Sequence, residues 1–250
     1  MLNTIFATKV EMSQAWSEDG KRLPITKLKV SDNVVLSKKE TQDKQMTLEI
    51  GYGRKKLKNV DKPLRSKIEK SGFSFGVKQV EGIKLSGEET ENTLEAGQTL
   101  VLTDVLTVGD VVEIQGSTKG RGFAGAVKRY GFHGGPKTHG QSDRERAVGS
   151  IGSGTTPGRI WKGKRMPGHY GCETKTVSGL VVVYIDQKNN ELWVNGPVPG
   201  YRTSTVRISK TGKTKEIKLN LKHLGLAEAE PQVEPQIESQ VEQTEEGANS

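Results

Sequence analysis

Residues 119–175 read KGRGFAGAVKRYGFHGGPKTHGQSDRERAVGSIGSGTTPGRIWKGKRMPGHYGCETK. These 57 residues hold 14 of the 30 glycines and 12 Lys/Arg, against three acids (Asp143, Glu145 and Glu173), a net charge of +9. The only branched aliphatic or Met side chains are Val127, Val148, Ile151, Ile160 and Met166. So little apolar surface does not offset the entropy of ordering such a chain. The stretch is also too long for an idle connector in a compact domain. A basic, Gly-rich strip without a core of its own is expected to take its shape from a large polyanion, and RNA fits best.

The flanks are strands. Asp110 to Gln115 precedes the stretch and Val177 to Ile185 follows it, both β-branched and strand-length. The segment therefore reads as an arm inserted between two strands. Further strand signals are Ile25 to Val30, Val34 to Leu36, Met46 to Ile50, Thr99 to Leu106, Glu191 to Val194 and Ser204 to Ile208. Lys188-Asn189-Asn190 is expected to turn Val177–Ile185 into a hairpin with Glu191–Val194. A basic insert over about 52–79 carries nine cations and a short helix from Pro63 to Lys70, with Pro in its first turn and Gly72 to close it. The fold class is thus mainly β, a barrel or sandwich with few helices. The expected division is a β core over 1–118 and 176–212, the arm over 119–175, and a C-terminal extension over 213–250.

That extension is acidic. Leu226 to Ser250 has seven Glu and no Lys or Arg, and is expected to be disordered from 226. Without it, residues 1–225 carry 38 basic against 23 acidic side chains, +15 where the full chain has +8. No amphipathic basic helix stands out, so a membrane surface is not the expected partner. The N-terminus lacks the pattern of a signal peptide, and a single cysteine, Cys172, precludes an intramolecular disulfide. Both fit a cytoplasmic location.

Several motifs resemble catalytic signatures and fail on context. Gly120-Arg-Gly-Phe-Ala-Gly125 matches GxGxxG, but Gly131, Gly134, Gly135 and Pro136 stop any helix within two turns, and a dinucleotide site needs that helix. His133, His139, His169 and Cys172 lack the spacing of a zinc finger. His139, Ser142 and Asp143 are triad residue types without a rigid scaffold. No enzyme activity, cofactor, metal or small-molecule substrate is expected. The recurring pattern is cations interleaved with rings: Lys128-Arg129-Tyr130-Gly131-Phe132-His133, then Arg159, Trp161, Lys162, Lys164 and Arg165. Cations neutralise phosphates, and rings stack on unpaired bases at about 1–3 kcal/mol per base. The candidate RNA-binding residues are these, except Tyr130 and Gly131, together with Lys119, Arg121, Phe123, Lys137, His139, Arg144, Arg146 and His169.

The run Gly116-Ser-Thr-Lys-Gly-Arg-Gly-Phe-Ala-Gly-Ala-Val-Lys-Arg-Tyr130 resembles the hallmark of the universal large-subunit ribosomal protein three family. So do Thr138-His139-Gly140, Gly149-Ser-Ile-Gly with Thr156-Pro-Gly-Arg159, Trp161 to Met166 with Gly168, Val194 to Gly200, and Lys62-Pro-Leu-Arg65. The resemblance covers nearly residues 1–210 and is of bacterial type. It implies a β-barrel of the kind shared by translation proteins, with the arm threading into the ribosome. It also implies binding of large-subunit rRNA near its 3′ end, early in assembly, with the arm reaching toward the peptidyl transferase centre. Neighbouring large-subunit proteins are the other implied partners, and the chain is implied to be a ribosome-associated structural protein. Two positions depart from the pattern. Glu11 stands where the family usually has Gly, at an expected first turn, and Thr155 stands where some bacterial members carry a methylated Gln. The alternative is a non-ribosomal RNA-binding chaperone of the same architecture.

Overall fold

The computed structural model describes residues 2–40, 46–84 and 95–220; the acidic tail lies outside them. The fold is mainly β. Six strands pair into a closed ring: β1 (Thr4–Trp16), β12 (Thr205–Thr214), β7 (Asp110–Ser117), β10 (Thr174–Asp186), β11 (Glu191–Asn195) and β2 (Arg22–Lys29). Every pairing in the ring is antiparallel. A closed ring leaves no unpaired strand edge. Strict alternation builds its interior. β7 buries Asp110, Val112, Ile114 and Gly116, and β12 buries Val206 and Ile208. The expected hairpin over 177–194 forms, with Val182 opposite Val194 and Asp186 opposite Glu191.

β1 is one continuous strand, with no turn at Glu11. Its register slips between Lys9 and Glu11, and Glu11 pairs with Lys27 of β2 at 3.1 Å. A bulge takes up the extra residue where a turn was expected. Thr4 to Ala7 are all buried, because this end of β1 is covered on both faces.

The cover is a second sheet in the order β5 (Gly76–Lys84), β4 (Met46–Lys55), β3 (Asn33–Glu40) and β6 (Thr99–Leu100). Phe6 of the ring stacks on Tyr52 of β4, with centroids 4.2 Å apart and planes 11° from parallel. Asn33 joins the layers by accepting from the Phe6 N–H and donating to its carbonyl. The opposite face of the second sheet carries α1 (Lys62–Lys70). Ile68 packs there against Val34, Leu36 and Val77. α1 ends in a Schellman turn: the Gly72 N–H donates to Glu69 O and the Phe73 N–H to Ile68 O.

The expected strand over Thr99 to Leu106 is interrupted by a helical turn. β6 and Val101 are extended, α2 (Leu102–Val105) takes up the middle, and the chain is extended again at Leu106. Leu102, Val105 and Leu106 are all buried. Spacing of three and four puts them on one helical face, which outweighs the β-branched composition.

Candidate nucleic-acid interface

The Gly-basic segment leaves the ring from β7 and returns through β10. Backbone pairing does not stop at the ring. Ser117 faces Thr174, the Thr118 N–H donates to Glu173 O at 2.9 Å, the Arg121 N–H donates to Tyr170 O, and the Tyr170 N–H donates to Gly122 O. The ladder ends in β8 (Phe123–Ala124) against β9 (Gly168–His169). The result is a two-stranded stem. Its crossing is close: a Cβ on Gly171 would lie 2.2 Å from Lys119 O, and the residue sits at φ +82°. Glycine alone meets both demands.

Above the stem lies α3 (Ala126–Tyr130), five residues ended by Gly131 at φ +73°. This is the context expected for the GxGxxG match: no helix long enough for a dinucleotide site. Beyond it the chain folds back on itself. The Gly135 N–H donates to Glu145 O at 2.9 Å, and a Cβ on Gly134 would sit 2.2 Å from that same oxygen.

Burial in the segment is sparse. Ala124, Ala126 and Gly171 are its only buried residues. The cations are held by rings. The Arg129 and Arg165 guanidinium carbons lie 5.0 and 5.7 Å from the Tyr130 centroid, and Phe132 tilts against the same ring at 6.2 Å. Arg121 lies over Tyr170 at 5.1 Å and Arg159 over Trp161 at 5.6 Å. Arg129 also donates to Met166 O. Such stacking on exposed rings is worth about 0.5–1 kcal/mol each.

Among the described residues, none of the twelve cations of 119–175 forms an ion pair with a carboxylate. Lys119, Arg121, Phe123, Lys128, His133, Lys137, His139, Arg144, Arg146, Arg159, Trp161, Lys162, Lys164, Arg165 and His169 are exposed; Arg129 and Phe132 are half-buried. Phe123 is 80% exposed and Trp161 59%, bare rings on a polar surface. The structure brings Arg129, Arg165 and Phe132 together around Tyr130. It gives Lys137, Arg144 and Arg146 no shared partner. No group of His, Cys, Asp or Glu among the described residues could hold a metal ion.

At the root of the stem lies buried Lys9, whose Nζ donates to the carbonyls of Val198 (2.6 Å) and Gly200 (3.3 Å). Burial, then the charge of Lys119, pushes its pKa down. The lysine pins the 198–204 loop against the ring, and Thr203 N–H closes it onto Lys9 O. Sequence reading missed Lys9, Tyr130 and Tyr170 as organisers. Tyr130 and Tyr170 carry a signal, each adjoining a residue already singled out; Lys9 carries none.

The family model described as Ribosomal protein L3 matches residues 79–192, which contain the whole stem and everything above it. Large ribosomal subunit protein uL3 of Herpetosiphon aurantiacus is 40% identical over 215 residues, 85% of this chain and 98% of the relative. The chain belongs to the ribosomal protein L3 family. The protein of the same name from Dehalococcoides mccartyi is 40% identical over 214 residues, covering 85% of this chain and all of the relative. That of Aquifex aeolicus is 38% identical over 237 residues, 91% and 96%. Membership makes the chain a structural protein of the large ribosomal subunit and not an enzyme. No helix among the described residues is long and apolar enough to cross a membrane.

Proposed function

We propose that the chain binds large-subunit rRNA through residues 119–175, and that this segment is an arm that enters the ribosome as rRNA folds around it. The ring corresponds in this reading to the barrel of translation proteins, a core over 1–118 and 176–212. The observation that carries the reading is twelve cations with no carboxylate partner on a segment with three buried residues. Mutual repulsion of that density is relieved by phosphates. The bare ring of Phe123 and the guanidinium–ring stacks at Trp161 and Tyr130 offer planar surfaces to unstacked bases. On the family pattern, binding is near the rRNA 3′ end and early in assembly, and the arm points toward the peptidyl transferase centre. Neighbouring large-subunit proteins flank the core, and the location is the ribosome in the cytoplasm. No observation favours the RNA-chaperone alternative.

Sucrose-gradient fractionation of a lysate after a high-salt wash tests this. The protein is expected in the large-subunit peak. Recovery at the top of the gradient would overturn the ribosomal reading and leave the fold alone.

A further inference from the structure

A second basic surface stands apart from the stem. Beyond Tyr52 the alternation of β4 breaks at Gly53 (φ +76°), and Arg54 joins the face of Val77 and Phe75, where it is exposed. Residues 54–62 hold five cations (Arg54, Lys55, Lys56, Lys58 and Lys62) and one acid, Asp61. All six are exposed, and among the described residues none of the five cations pairs with a carboxylate. The backbone that presents them is fixed. Arg54 pairs with Val77 and Lys55 with Gly76, and a single 3₁₀ turn over Leu57–Asn59 carries Lys58 outward. Arg54 lies 5.0 Å over the Phe75 ring. Together Arg54, Lys55, Lys56, Leu57, Ser74 and Phe75 line an open cleft of about 550 Å³.

This surface is on the stem side of the molecule. A second cleft of about 280 Å³ is lined by Tyr52 and Gln79 of the second sheet and by Ser117 and Thr174 at the stem's foot. Arg54 stands two residues beyond Tyr52 along β4, on the other face of the sheet.

We propose that this end of the second sheet is a second RNA contact, gripping the phosphate backbone of an RNA duplex beside the root of the arm. The chemistry chooses the occupant. Lysine ammoniums are point charges suited to phosphates. The one ring, Phe75, is half-buried and contacts both Arg54 and Phe73, so it offers bases far less area than the 80% exposed Phe123. A partner protein would want an exposed apolar anchor, and the apolar side chains of the lining, Leu57 and Phe75, are both half-buried. The inference rests on the RNA-binding reading and adds a contact for which the arm is not needed.

The test uses the full chain and large-subunit rRNA. Three triple variants are compared with the wild type: K55Q/K56Q/K58Q; R121Q/K128Q/R165Q on the arm; and K213Q/K215Q/K218Q. The third is a charge-matched control at the opposite end of the ring, where Thr214 pairs with Asp110 at the start of β7. The substituted side chains of the first and third sets are exposed and unpaired, so the fold is expected to survive. For K55Q/K56Q/K58Q the slope of log K against log salt is expected to fall by about 2–3, with affinity at least about tenfold weaker. Hydroxyl-radical protection should be lost over one duplex while the nucleotides protected by the arm stay covered. The control should change the slope by less than about 1. If K55Q/K56Q/K58Q tracks the control while the arm variant weakens binding, the second contact is wrong and the arm reading stands. With purified large-subunit proteins added to the mixture, an unchanged RNA footprint with lost cross-links to one of them would assign the surface to protein and overturn the proposal. If neither the wild type nor any variant binds rRNA, both readings fall together.

Discussion

The ring and the segment it extrudes are two solutions to holding a chain in one shape. In the ring, side chains do it: Ile5, Leu28, Ile114, Leu192 and Ile208 are fully buried. In residues 119–175 the backbone does most of it, through a ladder and left-handed glycines, with a few guanidiniums laid on rings. The first region is self-sufficient because apolar burial offsets ordering entropy. The second has fixed geometry at its stem and almost no burial above it, so in the proposed reading its stability comes from the rRNA it binds.

Truncating core and segment side chains of one type breaks the comparison most directly. Ile114→Ala is expected to cost about 3–4 kcal/mol in chemical denaturation, as transfer and cavity terms add. Ile160→Ala, at a 44% exposed position, should cost under about 0.5 kcal/mol. Equal losses would mean the segment has a core of its own.

Gly171→Ala is expected to cost about 1–3 kcal/mol locally, since it meets both the left-handed backbone and the Lys119 carbonyl. Hydrogen exchange should rise at the Arg121 and Tyr170 amides, which close the stem, while β11 and β12 stay protected. The control is Gly122→Ala, also left-handed but with open space around its Cβ, which should loosen the stem less.

A smaller effect sharpens the core side. Burial works against the charge of Glu49, but hydrogen bonds from Lys39, Lys67 and Ser37, with the Lys67 charge, hold its pKa at about 2 against the usual 4.5. A carboxylate with a depressed folded pKa stabilises above its unfolded value, and the contribution disappears as pH falls through the folded one. Stability from this group should therefore be complete above about pH 4.5 and be lost towards pH 2. Lys39 is largely exposed, so screening reduces the effect to about 1–2 kcal/mol. Glu49→Gln should flatten that part of the pH–stability profile, and a profile unchanged by the substitution would remove Glu49 from the account.

Sequence made the two regions legible to different depths. β2, β3, β7, β10, β11 and β12 announce themselves by β-branched runs. β1 does not, because Lys9, Glu11 and Gln14 break its apolar pattern while both faces of its first half are covered. β5 is hidden in a basic stretch, where Lys78, Gln79 and Glu81 alternate with Val77 and Val80. Ring closure is unreadable locally, since Thr4 pairs with Ser209 across most of the chain. In the segment, composition exposed the charge and the lack of a core. It could not expose the ladder of the stem, which is made of backbone groups with no residue preference. The clustering around Tyr130 also escaped it, because Arg165 arrives there from 35 residues downstream.

Hydrogen exchange over residues 119–175, with and without large-subunit rRNA, tests the central claim most directly. Ring amides in β7 and β10 should be protected alike in both states. Amides from 125 to 167 should exchange within seconds in the free chain and become strongly protected on rRNA. Core-level protection of 125–167 without RNA, or fast exchange that rRNA leaves unchanged, would contradict the account.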